Sequence, residues 1–292
     1  MTQTIFTMLL TDHGLIRASG EDAASFLHNL LTNDITHLEE GQARRAALCT
    51  AKGRMIASFL IWREGNDYLL QLSADILPGI LKKLSMYILR SKVKLTDISA
   101  ERPQIGVLGA PLDPAEPMQV APYDGGTVIR LDAHRCVLAL SAESASRAAE
   151  LGTPAPLSDW HQAEIRAGIP RIVAATQEAF VPQMVNLEVA AVGGVSFQKG
   201  CYPGQEIVAR THYLGKIKRR MLRARLDNDV PPGTDVFTPE AGDQHCGAVV
   251  LTAPHPDGGV ECLLVSQDSQ TIRVGSPSGP TAQLLDLPYS VD

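Results

Sequence analysis

The chain has 292 residues, more than a single hydrophobic core usually organises, so two or three folded units are expected. Apolar residues make up 45% and charged residues 20%, a balance that excludes a disordered or membrane-embedded chain. The formal charge of −6 gives no global attraction for nucleic acid, so any RNA contact requires a local basic patch.

Five cysteines, Cys49, Cys136, Cys201, Cys246 and Cys262, are odd in number, far apart and without a CxxC pair. They read as reduced thiols of a cytoplasmic protein. The opening MTQTIFTMLLTDHG has no basic leader, and its apolar run is cut by Asp12 and His13, so no export or membrane-spanning signal is read there.

After a short strand, LIRAS, the stretch GEDAASFLHNLLTNDI places Ala23, Phe26, Leu27, Leu30 and Leu31 at helical spacing. Ser19 with Asp22 predicts a capping box, and Asn33-Asp34 a turn. Residues 43–73 read as a β-meander broken at AKGR and REGND. LPGILKKLSMYILRSKVKL predicts a helix with Leu77, Ile80, Leu81, Leu84 and Ile88 inward and Pro78 in its first turn. The strands QIGVLG and TVIRLD flank a proline- and glycine-rich loop, and RCVLALS is a further strand. LSDWHQAEIRAG predicts a helix stopped by Gly168 and Pro170. Beyond Arg220, short strands spaced by Gly, Pro and Asp predict a small β-barrel. The mixture lacks a βαβ rhythm, so the expected class is α+β.

The densest chemistry is KGCYPGQE. A thiolate is stabilised by a nearby cation or by the free N–H groups of a helix N-terminus, and here Lys199 precedes Cys201 by two residues while a helix is predicted to begin near Gly204. The other four cysteines sit in apolar, strand-like contexts and read as buried filler. A Cys-His hydrolase would need a base, for which His212, His161 and His28 are available and none is singled out. No GxSxG, Walker, HExxH or GxGxxG pattern occurs.

KGCYPGQEIVAR, with GIPRI, FVPQMVNLE and LLTNDI, resembles the YgfZ group of folate-binding proteins, relatives of the glycine cleavage T-protein, an aminomethyltransferase. The resemblance runs over nearly the whole chain and implies a T-protein-like fold. In that fold, interleaved α+β subdomains in residues 1–218, with 45–150 as the inserted part, surround a central folate cavity, and a β-barrel occupies 219–292. It implies tetrahydrofolate or a one-carbon derivative as ligand, with Glu188 on the pterin edge. A carboxylate there accepts two parallel hydrogen bonds from the ring N–H and amino group. Tyr202, Gln205, Glu206 and Arg210 would position the loop and the folate. Arg219 or Arg220, from the basic run KIKRR, would meet the folate carboxylates or else be solvated edge charges.

T-proteins carry a GG-x-x-DD signature, and GRMIAS here sets Ala57 and Ser58 where the two aspartates would be. Neither can act as a base, so aminomethyl transfer is not expected while folate binding is. The function the resemblance implies is an accessory role in assembly or repair of iron-sulfur clusters. Cys201 is then the working thiol, tuned by Lys199, and cluster enzymes or assembly factors are transient partners. Effects on tRNA modification would be indirect, through those enzymes. No resident metal, membrane contact or direct nucleic-acid binding is expected. The alternatives are a folate-dependent one-carbon transferase and a non-catalytic module that docks proteins or tRNA through KIKRR.

Overall fold

The computed structural model describes residues 4–109, 112–213, 215 and 217–291. Pro111 of the proline-rich loop, and Leu214 and Lys216 near the basic run, lie outside the described residues. The chain divides into two compact units, one of residues 1–46 and 59–160, the other of 47–58 and 161–292.

In the first unit, β1 (Phe6–Leu9) and β2 (His13–Ser19) enter different sheets. The helix α1 (Ala23–Leu30) buries Ala23, Phe26, Leu27 and Leu30, as its spacing predicts. The capping box does not form. The Asp22 carboxylate instead accepts the Lys92 backbone N–H at 2.7 Å, and no side chain caps the helix. The meander is present as β3 (Ala43–Cys49), β4 (Met55–Glu64) and β5 (Asp67–Ser73). The helix α2 (Leu77–Ser85) has Pro78 in its first turn and ends before Ile88, burying Leu77, Ile80 and Leu84. With β6 (Lys94–Asp97), the second sheet runs in the order β3-β4-β5-β2-β6.

The other sheet of this unit adds β7 (Gln104–Leu108), β8 (Val120–Tyr123), β9 (Gly126–Arg130) and β10 (Arg135–Ala139). The strand β8 lies inside the stretch expected to be loop; it pairs only with β9 at the sheet margin, where Pro122 costs no central ladder bond. The helix α3 (Ala142–Ala148), not anticipated from spacing, leads to β11 (Thr153–Pro154), which pairs parallel to β1. The helix α4 (Leu157–Arg166) then places Trp160 in a core with Met8, Leu15, Trp62, Ile129 and Val137.

In the second unit, α5 (Gln205–Tyr213) precedes β12 (Arg219–Leu226), β13 (Asp235–Phe237), β14 (Gly247–Pro254), β15 (Val260–Gln267), β16 (Arg273–Val274) and β17 (Gln283–Leu285). These strands form one six-stranded sheet, β16-β13-β14-β15-β12-β17. The expected β-barrel is a half-barrel: among the described residues β16 and β17 share no ladder, and one bridge from Arg273 to Thr281 links that margin. One core joins the sheet to the segments before it, with Met221, Leu263 and Val265 packed among Cys49, Met55, Ile165, Phe180 and Leu187. Glu261 of β15, its side chain 3% exposed, draws in Arg166 at 2.8 Å, Arg223 at 3.4 Å and His255 at 3.5 Å.

Gly106 marks a close approach to an aromatic ring in the first unit. It faces Trp160 directly, and a Cβ there would lie 2.4 Å from the indole Cε3. Gly106→Ala must therefore displace a fully buried ring, and the urea midpoint should report a loss of about 1–3 kcal/mol with unchanged far-ultraviolet dichroism.

Candidate functional site

Every residue expected at the site lies in the second unit. It is built around the 3₁₀ turn Pro182–Val185, whose proline opens the turn and whose last residue is followed by Asn186 in the left-handed region, φ 57°. That reversal lets both amides of PQMVNLE serve the frame: Gln183 Nε2 donates to the Val208 carbonyl at 2.7 Å, and Asn186 Nδ2 to the Met221 carbonyl at 2.9 Å. The turn is thereby tied to α5 on one side and to β12 on the other. Sequence reasoning gave these two residues no role; two amides shortly before an acid in an otherwise apolar stretch were the available signal.

Glu188 follows the turn with its side chain 6% exposed. Its Oε1 accepts from Arg220 Nη1 at 2.5 Å, and the same Nη1 reaches the Gln183 carbonyl at 3.0 Å. Burial raises the Glu188 carboxyl above its ordinary range, and the Arg220 charge and hydrogen bond, with a smaller contribution from His212, offset this only in part. The reason is visible in the other oxygen. Oε2 is buried and makes no hydrogen bond among the described residues, and the same holds for Gln183 Oε1 and Asn186 Oδ1. Three unused acceptors on one short segment are a costly arrangement unless a donor-bearing ligand completes them.

The motif KGCYPGQE is held by backbone contact. Gly204 has φ +81°, and a Cβ there would lie 2.4 Å from the Thr50 carbonyl oxygen and 2.7 Å from Gly53 Cα. Gly53, at φ +70°, closes the β3–β4 turn through its N–H to the Thr50 carbonyl. That turn is itself anchored, with Arg54 Nη1 donating to the Ala179 carbonyl at 2.7 Å and the Met55 N–H to the Phe180 carbonyl at 2.8 Å. The loop turns into α5 through the Gln205 N–H to the Tyr202 carbonyl.

Lys199 is buried, and its ammonium sits 4.8 Å from the centroid of the Tyr202 ring. Burial pushes the Tyr202 phenol well up, and the neighbouring Cys49 acts in the same direction. Cys201 is exposed, while the other four cysteines are buried. Burial pushes the Cys49 and Cys262 thiols up to about 12, out of thiolate chemistry at neutral pH. Cys201 makes no hydrogen bond among the described residues, so none of the three histidines considered is paired with it. His28 is engaged by Asp34, His161 lies on α4, and His212 stacks on Phe197 at 3.8 Å and 13°. Glu206 and Arg210 are exposed on α5, Gln205 and Arg219 are half-buried, and only Arg220 of the expected basic residues reaches Glu188.

Ala57 is fully buried, and the Ser58 hydroxyl accepts the Ile172 N–H at 2.9 Å, so that position has a structural use and carries no carboxylate. Among the described residues, no group of three or more His, Cys, Asp and Glu side chains is arranged to hold a metal ion. No described helix is long and apolar enough to cross a membrane.

The sheet order and the segment 182–206 together define an α+β fold of the glycine cleavage T-protein type. Residues 8–111 match the GCVT N-terminal domain. The crystal structure of glycine cleavage system aminomethyltransferase T from Bartonella henselae aligns with a TM-score of 0.76, covering 98% of this chain and 86% of that one at 16% identity, a likeness of fold. In sequence, the chain is 30% identical over 302 residues to the tRNA-modifying protein YgfZ of Vibrio vulnificus strain YJ016, covering 97% of this chain and 92% of that protein. It is 32% identical over 304 residues to the tRNA-modifying protein YgfZ of Photobacterium profundum, covering 97% and 91%. The chain belongs to the YgfZ family.

The approach of Gly204 to the β3–β4 turn yields a test. Gly204→Ala meets both a left-handed φ and two backbone atoms, so it should lower stability by more than about 1 kcal/mol, read as a shifted denaturant midpoint.

Proposed function

We propose that this protein is a tetrahydrofolate-binding accessory factor that supports assembly or repair of iron-sulfur clusters and so affects tRNA modification indirectly. The observation that carries the folate reading is Glu188. A buried carboxylate with Oε1 fixed by Arg220 and Oε2 unused suits an edge bearing adjacent N–H and amino donors, the pattern a pterin offers. Arg220 orients the acid and keeps it from being an isolated buried charge. With Arg220 engaged by Glu188, Arg219 remains the candidate for the folate carboxylates, and Tyr202, Gln205, Glu206 and Arg210 belong to the loop and helix that position the ligand.

Tetrahydrofolate, when bound, supplies a carrier for one-carbon groups; this chain's residues hold and orient it. The replacement of both T-protein aspartates by Ala57 and Ser58 argues against aminomethyl transfer, since no acid is left there to stabilise developing charge. Cys201 is then the group that works on the cluster side. Its exposure lets it reach a partner protein's iron or sulfur, for which a thiolate is a suitable soft ligand, and Lys199 on the Tyr202 ring fixes the loop behind it.

Two variants separate the roles. Glu188→Ala should lose tetrahydrofolate affinity by at least about tenfold, the worth of a charged hydrogen bond, and should fail to restore cluster-enzyme activity in a deletion strain. Cys201→Ala should bind folate normally and still fail to restore it. Full rescue by Cys201→Ala would remove the thiol from the account.

A pH dependence follows from the raised Glu188 carboxyl. Protonation removes an acceptor, so affinity is present above the folded-state pKa and is lost as pH falls through it. The loss should begin above the value near 4.3 of an unperturbed glutamate. Calorimetric titration of folate across acidic pH should show this for the native protein and not for Glu188→Gln. For the chain without ligand the sign is opposite: a raised acid is harder to ionise when folded, so stability present below the unfolded pKa is lost as pH rises through the folded one.

A further inference from the structure

Two clefts in the second unit do not include Glu188 and have Met184 and Arg219 in common among their lining residues, and Gln183 of the turn before Glu188 lines the second. The first, of about 250 Å³, is lined by Arg54, Arg219, His245 and Asp235 beside Phe180 and Met184. Arg54 is steadied by its bond to the Ala179 carbonyl. Arg219 and His245 make no side-chain hydrogen bond or ion pair among the described residues. The second cleft, of about 330 Å³, has Val181, Met184 and Ile217 as apolar walls, Lys218 and Arg219 at its charged side, and Gln183 beneath. Gln183 is fully buried, and its Oε1 makes no hydrogen bond among the described residues.

Two guanidiniums and an imidazole outnumber the one carboxylate, Asp235, and suit a phosphate, which takes forked donors from arginine. Methionine and aliphatic side chains with an amide among the lining residues suit a planar heterocycle carrying an N–H or amino group. Each cleft alone lies near or below the lower end of about 300 Å³ for small-molecule sites, whereas the pair suits a ligand with both parts. We infer that these adjoining clefts bind a nucleotide, its phosphate at Arg54, Arg219 and His245 and its base against Met184 and Gln183. The source is either a free mononucleotide or one nucleotide of a single-stranded RNA. The overall charge of −6 opposes RNA at long range, and this run of basic side chains is the local patch that such contact requires.

The inference goes beyond the folate reading: Glu188 lines neither cleft, whereas Arg219 and Gln183 are shared with the residues considered for folate, so His245, which is not, is the position that separates the two. It is tested on the whole protein by calorimetry with adenosine monophosphate and with inorganic phosphate, and by fluorescence anisotropy with a short labelled single-stranded RNA. Arg219→Gln should weaken binding about tenfold or more and lower the salt slope for RNA by about one. His245→Gln, at an exposed position, should weaken nucleotide binding while leaving tetrahydrofolate affinity unchanged, which separates failure of this site from failure of the folate site. Binding of the free nucleotide identifies a small-molecule source, and binding of RNA alone identifies a strand. Absence of all binding, or equal binding by native protein and His245→Gln, would overturn the inference.

Discussion

The site depends on one ion pair. Arg220 comes from the first strand of the C-terminal sheet and Glu188 from the segment after a 3₁₀ turn, and their contact places a carboxylate where water is excluded while leaving half of it unspent. A buried acid alone would protonate or drive the segment outward, and a fully paired one would have nothing left for a ligand. The arrangement lies between these limits. The amides of Gln183 and Asn186, each spending its N–H₂ on a backbone carbonyl and leaving its oxygen open, extend the same logic along the segment.

The four buried cysteines and the exposed one show how context divides identical side chains. Cys49 and Cys262 sit in apolar packing that disfavours their anions. Cys201 is carried out of the core by a loop whose glycine can approach backbone no other residue could approach. The chemistry of KGCYPGQE is therefore set less by the cysteine than by Gly204 and by the packing of Lys199 onto Tyr202.

Local pattern carried much of this into the sequence. The meander, the α1 face, the presence of α4, the start of α5 and the exposure of Cys201 follow from period, turn residues and neighbours, which act over a few positions. What was not legible acts over longer separations. The Glu188–Arg220 pair spans 32 positions, the Asp22 carboxylate is diverted to Lys92, and β8 forms from a proline-bearing stretch because an edge needs only one neighbour. The burial of Lys199 was hidden for a different reason: its aromatic partner Tyr202 is only three positions on, but lysine is ordinarily exposed and the spacing alone does not stack an ammonium on a ring. The expectation of a central folate cavity rests on resemblance alone, because no single-chain pattern encodes a space enclosed by distant segments.

Glu261 has a further meaning for how this polypeptide can be divided. It gathers cations from a helix before the C-terminal sheet and from two places within it, and the core beneath mixes side chains from both regions. Severing the chain between α5 and β12 would strip the acid of Arg166 and lay open apolar surface on each fragment. The half-barrel is thus not a transplantable module but the far wall of a folding unit that begins well upstream of its first strand.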